Sequence, residues 1–327
     1  MISRRKMLLT AAAASVAAPT ISRGVFAQSA WPNREIHAIC GFPPGTGADI
    51  FVRFYAKMLQ DRIGATVITE NKVGAFGNIA TEYVARSKPD GYTIYINPGS
   101  SFLAAASALF KKLPFDPIND FEHVTTLAKL PFLLVVAADG PYKSVDDLVK
   151  DLKAKGDKAS YGSIANTGLV GSELFKANFG LSTVEVKYKE AGGLFNDLIG
   201  GNTAFVHSDP GTAMGQLKNG KLRALCTTSK DRFKALPDVP SASEVGITNS
   251  DLIAWWSVEM PKGTPKPILE RLEKEFNAIA ASDEHLKFAA SLGNDPFVSN
   301  STILKDLLVK DTEAWREYVK LAKIEPL

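Results

Sequence analysis

From residue 36 to residue 69 the chain alternates a short apolar run (36–39), a loop, an amphipathic stretch from about 49 to 63, and a second apolar run (65–69). A strand, a crossover helix and a strand in that order join one sheet as parallel neighbours, because a hairpin leaves no room for the helix. The loop between them, Gly41-Phe42-Pro43-Pro44-Gly45-Thr46-Gly47-Ala48-Asp49, holds two prolines and three glycines. Proline sets an extended or turning path, and glycine lets backbone amides approach a ligand closely. A strand therefore ends just before a helix N-terminus, where free N–H groups and the positive end of the helix dipole attract an anion without any lysine or arginine.

The same unit recurs. Glu70-Asn71-Lys72-Val73-Gly74-Ala75-Phe76-Gly77-Asn78 precedes a helical run at 79–86, and Asn97-Pro98-Gly99-Ser100-Ser101 follows a strand at 92–96. Strands are expected at 121–127 and 131–137, and Ser144 is placed to cap a helix. In the second half, 159–161 runs into the loop 162–168 and a helix at 169–178, repeating the opening design. Further strands are expected at 184–188, 203–206, 222–227 and 253–258, and the tail from Pro267 is mostly helical, with Ile268, Leu269, Leu272, Phe276 and Ile279 along one face. The fold class is α/β, and ligands of open α/β sheets collect at the carboxyl ends of strands, where these loops lie.

A chain of 327 residues, 45% hydrophobic, is long enough for two domains. Its 38 basic and 35 acidic residues are interspersed, giving a net charge of +3, which argues against nucleic acid as a partner. Ser3-Arg4-Arg5-Lys6-Met7-Leu8 ahead of an alanine-rich apolar run resembles a twin-arginine export signal, with Val25-Phe26-Ala27 before the cut. Residues 1–27 are read as that signal, and the product as an exported, periplasmic protein. Cys40 and Cys226 are too few and too far apart for zinc, and each sits in an apolar run as a small hydrophobe.

Catalytic signatures fail one by one. Gly-x-Ser-x-Gly and His-Glu-x-x-His are absent, and His37, His123, His207 and His285 have no metal-ligand spacing. His207, Ser208 and Asp209 are consecutive, so on a strand they point to alternate faces and cannot converge as a triad. Gly215 to Lys221 fits most of a P-loop, but Leu222 stands where a hydroxyl should hold magnesium, and the stretch ends a helix rather than opening one, making Gly220 a helix terminator. Gly45-Thr46-Gly47 with Glu70 suggests a dinucleotide fingerprint, but Ile50 occupies the third glycine position. Of Trp255 and Trp256, adjacent on one strand, one should face the core and the other a cleft or solvent. With Phe42 and Phe102, they either shelter an aromatic ligand or belong to the core.

In its order of landmarks the chain resembles the substrate-binding proteins of tripartite tricarboxylate transporters, the Bug family, from Trp31 to the C-terminus. Besides the first two loops, these landmarks are Lys88-Pro89-Asp90-Gly91-Tyr92-Thr93, Tyr161-Gly162-Ser163, Gly220-Lys221-Leu222-Arg223-Ala224-Leu225, Leu236-Pro237-Asp238-Val239-Pro240 and Gly263-Thr264-Pro265-Lys266-Pro267-Ile268. The resemblance implies a two-domain periplasmic-binding-protein fold (Venus flytrap, type II) with a mixed sheet in each domain. Residues 28–128 plus 250–327 are expected to form one domain and 129–249 the other. It implies capture of a small carboxylate between them and delivery to a membrane permease, with no catalysis and no cofactor. A monomer is expected.

By position in that family, Phe42, Thr46, Ala48 and Asp49 would serve in the first loop, and Ser163, Asn166 and Thr167 in the second. Asn78 and Ser100 would line the wall, and Ser208 or Asp209 would face the far end of the ligand. The chain departs from the family at Thr46, where a second glycine is usual, after Ser163, where the loop is shorter, and at Ser208, where an aspartate is common. Two other readings use the same cleft: an exported oxidoreductase or hydrolase, resting on the partial glycine pattern and Glu70, and a sensor subunit that hands its liganded state to a membrane partner.

Overall fold

The computed structural model describes residues 31–164, 166–248 and 251–327, and the export signal read at 1–27 lies outside them. The first sheet begins with β1 (Ile36–Cys40), α1 (Gly47–Ile63), β2 (Val67–Asn71), α2 (Asn78–Ala85) and β3 (Thr93–Asn97), and β1 lies parallel between β2 and β3. α1 forms where it does because Phe51, Val52, Tyr55, Ala56 and Leu59 fall on one stripe and are buried against the sheet. Thr46 accepts the Asp49 amide at its start, and Gly64, at φ +68°, ends it with its N–H on the Gln60 carbonyl. The loop after β3 becomes a single π-helical turn, Ser100–Ala104, followed by the short α3 (Ala106–Leu109). β4 (Phe121–Pro131) outruns its sequence signal because residues 128–131 pair with a strand more than 120 positions away.

After Phe132 the chain enters a second sheet. β5 (Leu133–Ala137), α4 (Val145–Lys155), β6 (Ser160–Ser163), α5 (Asn166–Phe179), β7 (Val184–Lys187), α6 (Ala191–Ile199), β8 (Phe205–Ser208), α7 (Pro210–Lys218) and β9 (Leu222–Thr227) follow. Their strand order is β7-β6-β8-β5-β9, with β6 parallel to β7 and β8 and β5 antiparallel to β8 and β9. Ser144 caps α4 as expected, in a reciprocal capping box with Asp147. The chain then returns as β10 (Ile253–Pro261), antiparallel between β3 and β4, and finishes with α8 (Lys266–Ala280), α9 (Asp283–Ser291), β11 (Asp295–Pro296) and α10 (Ser301–Leu321). The first sheet reads β11-β4-β10-β3-β1-β2, so both sheets are mixed.

Helices cover both faces of the first sheet, and this corrects the expectation for the tryptophan pair. Trp255 and Trp256 point to opposite faces, yet both are buried, at 2% and 7% exposure. Trp255 packs with Phe102, Leu103 and Leu308 and donates its indole N–H to Asp311 at 2.8 Å. Trp256 stacks on Phe51 with ring centres 4.3 Å apart. A sheet sandwiched by helices has no free face to offer a cleft. Val170 and Leu174 of α5 join the same core as Trp255 and Leu304, which ties the two halves together along a buried seam.

Candidate functional site

At the head of α1 nearly every polar group already has a partner. Thr46 Oγ1 donates to the Pro43 carbonyl at 2.8 Å and accepts the Asp49 amide at 3.2 Å. The buried Asp49 carboxylate accepts from the Gly45 amide at 2.8 Å, Arg53 Nε at 2.8 Å and Asn71 Nδ2 at 2.7 Å. Burial alone would raise its pKa, but Arg53, Asn71 and the Gly45 amide more than offset this and hold it below the usual carboxylate range. Asp49 is therefore the organiser of the loop, with its oxygens turned inward. Asn71 also donates to the Phe42 carbonyl at 2.9 Å, so the end of β2 braces the loop that follows β1. The first-turn amides left without an acceptor among the described residues are those of Gly47 and Ala48.

Across the cleft, the first-turn amides of Thr167 and Gly168 in α5 likewise meet no cap among the described residues, and that turn holds no acidic side chain. α7 starts differently. Its cap is Asp209, which accepts the Thr212 amide at 2.8 Å, and Pro210 follows at the first helical position. Desolvation pushes the Asp209 carboxyl up from its ordinary value, and the Thr212 hydrogen bonds only partly offset it. Ser208 Oγ donates to the Asp209 carbonyl at 3.2 Å. His207 turns away to Ser172 Oγ at 3.0 Å, and burial lowers it to about 3, so it is a neutral core histidine.

The two halves meet directly. Ser101 Oγ lies 2.6 Å from Thr167 Oγ1, and a Cβ built on Gly47 would sit 4.0 Å from the Gly211 backbone. The Ala235 amide donates to Asp295 at 3.0 Å at a third crossing. The start of α1, with Thr46 and Ala48, thus lies against that of α7, with Asp209, while the start of α5, with Asn166 and Thr167, meets the π turn. Ser100 does not reach the cleft wall: it is fully buried and its hydroxyl accepts the Trp255 amide at 3.2 Å. A residue inside the π turn has its place set by strand β10, which local sequence does not reveal, and its neighbour Ser101 reaches the other half instead.

The Phe42 ring lies against Phe102, 5.0 Å between centres, and near Trp256 at 6.4 Å, so it belongs to the packing of the jaw. Ser163 donates to Glu185 and lines a hollow of about 410 Å³ between the halves, shared with Phe76, Asn166, Leu169 and Tyr188. Asn78 opens α2, is 8% exposed, and its Oδ1 has no hydrogen-bond partner among the described residues. The turn before it carries four consecutive positive φ angles, from Gly74 to Gly77, and holds Phe76 half exposed at the rim of that hollow. A larger hollow of about 690 Å³ lies against α2 and the starts of β1 and β3, lined by Arg34, His37, Glu70 and Arg86. There Glu70 pairs with His37 at 2.6 Å and Lys72 at 3.2 Å rather than waiting for a ribose. Cys40 and Cys226 are free and buried, and no metal-binding group occurs among the described residues.

A family model described as a tripartite tricarboxylate transporter family receptor matches residues 51–323. The protein BugT of Bordetella pertussis is 28% identical, over 94% of this chain and 94% of its own length. Among solved structures, an R. palustris protein with adipate superposes with a TM-score of 0.84 at 29% identity, over 91% of this chain and all of that one. The periplasmic binding protein BugD gives 0.81 at 27% identity, over 91% of this chain and all of that one.

Proposed function

The chain belongs to the tripartite tricarboxylate transporter receptor family, a group of periplasmic binding receptors and not of enzymes, and from that premise we propose that it captures a small carboxylate and delivers it to a membrane permease of that transporter type. The observation that carries the reading is the pair of helix starts whose first-turn amides meet no acceptor among the described residues, Gly47 and Ala48 in one half and Thr167 and Gly168 in the other, with Ser101 and Thr167 in contact across the halves. Amides aimed from two directions satisfy a carboxylate without a cation, and closure excludes water from those bonds. Adipate in the R. palustris neighbour supports an organic acid as ligand. Thr46, Ala48, Asn78, Asn166, Thr167 and Asp209 are the proposed ligand contacts, with Asp49 and Ser100 holding the scaffold behind them.

The proposed division, a domain of residues 28–128 plus 250–327 and a domain of 129–249, follows the two sheets except at its first crossing, where β4 keeps residues 129–131 in the first sheet; a monomer is proposed. Residues 1–27 are proposed as the export signal, of twin-arginine type. Calorimetry or thermal shift across aliphatic and aromatic carboxylates tests the reading. Saturable binding of at least one carboxylate is expected, and no response to any of them would overturn it.

A further inference from the structure

We infer that the hollow of about 410 Å³ between the halves takes the hydrocarbon body of a monocarboxylate whose charged head lies beside Asn166. The preferred ligand is then an acid with an apolar chain rather than a dicarboxylate of the same length. This rests on the carboxylate reading above and adds which kind of carboxylate.

The hollow is walled by both halves, and its walls are mostly apolar. Phe76, Leu109, Ile324 and Leu327 come from the first half, and Ile164 and Leu169 from the second. Two of these side chains are bare: Phe76 is 49% exposed and Leu327 63%. Neither is free to fold away. Phe76 sits in the turn of four positive φ angles, itself at φ +53°, which aims its ring outward. Leu327 is pinned by its amide to the Leu109 carbonyl and by its carbonyl to the Lys111 amide, both at 2.9 Å. Apolar surface held open on two sides of an enclosed space of this size is what a small ligand's carbon chain covers.

The polar groups of the walls are engaged within the chain, with one exception. Glu173 accepts from Tyr161 and from Lys176 at 2.7 Å. Glu185 accepts from Ser163 and has Lys187 at 3.8 Å, and the Tyr188 hydroxyl donates to Asp197 at 2.6 Å. Lys187, Lys323 and Glu325 are exposed to water at the rim. The exception is Asn166, which is 8% exposed, lines the hollow, and has no side-chain hydrogen bond among the described residues. A buried amide without a partner calls for one from outside the chain. Asn166 is the first residue of α5, and Leu169 and Glu173 follow it on the same helix face along the hollow. A carboxylate accepting from the Asn166 amide thus has its carbon chain directed past Leu169 toward Phe76 and Leu327. A second carboxylate at the far end would meet Glu173 and Glu185 with no buried donor left to receive it, so the hollow rejects that end group.

The test uses the mature protein and straight-chain monocarboxylates of four to ten carbons, with the dicarboxylates of the same lengths, by calorimetry at pH 7.5. Each added methylene should tighten monocarboxylate binding by about two- to fourfold until the hollow is full. At eight carbons the monocarboxylate should bind at least tenfold tighter than the dicarboxylate. Phe76→Asn, which tolerates the left-handed backbone, should at least halve the gain per methylene while leaving the four-carbon acid within about threefold. Asn166→Asp keeps size and suits a helix start, so it should leave the fold intact yet weaken every acid at least tenfold. Affinity independent of chain length, tighter binding of the dicarboxylate, an undiminished gain in Phe76→Asn, or unaltered affinity in Asn166→Asp would each overturn the inference while leaving the carboxylate reading intact. Silence from every acid would sink both.

Discussion

Ser101→Ala isolates the closing contact from the ligand contacts. Ser101 Oγ is 2.6 Å from Thr167 Oγ1, and Thr167 is 1% exposed. Removing the serine hydroxyl strands the threonine hydroxyl in a dry seam, at a cost of about 1–2 kcal/mol for an unsatisfied buried group. When the jaws part, water takes its place, so the cost falls on the closed state alone. If tight binding requires closure, Kd should rise about 5- to 30-fold, mostly through faster release. Calorimetry and stopped-flow measurements with the tightest-binding carboxylate give both numbers. Adding Thr167→Val to Ser101→Ala should cost less than the sum of the single changes, because neither hydroxyl is then left alone. A Kd within twofold of the unaltered protein, or strict additivity in the double variant, would show that this bond does not hold the jaws together.

Gly77→Ala should destabilise the protein by about 2–4 kcal/mol, read from urea denaturation, because Gly77 has φ +90° and an added Cβ would lie 2.5 Å from the Phe102 ring, itself held against Phe42. Burial raises the Asp311 carboxyl to about 7 from 3.8, only partly offset by the Trp255 indole N–H. The folded state thus holds this proton more tightly than the unfolded one, and stability present below pH 4 is lost as pH rises through 7. The full loss is about 4 kcal/mol, so Asp311→Asn should flatten the fall in stability between pH 4 and pH 8, and an unchanged slope would refute it. Ser144→Ala removes the α4 cap and its reciprocal bond with Asp147, which should cost about 1 kcal/mol in the same denaturation assay.

Local patterns carried most of the architecture. The helix expected from about 49 to 63 and the cap expected at Ser144 are spacing effects along one chain, and both formed there, the first buried through Phe51 to Leu59 and ended by Gly64. The ends of elements were less legible. β4 runs on to Pro131 because β10 pairs with it, and β11 is a two-residue strand at Asp295–Pro296 with no periodicity to announce it. In the site, the glycine loops marked which helix starts to watch, while the roles of individual side chains depended on neighbours that no window contains. Asp49 is turned inward by Arg53 and Asn71, and Ser100 is claimed by the amide of Trp255.

The sequence by itself determined an α/β chain with repeated anion-seeking loops at strand ends, because helix periodicity, proline and glycine act over a few residues. Only the tertiary structure decided that Ser101 meets Thr167, that Gly47 faces Gly211, and that α7 arrives at the cleft with its own carboxylate in place. Those pairings join residues 66 and 164 positions apart, and they follow from how two separately wound sheets pack across a shared seam.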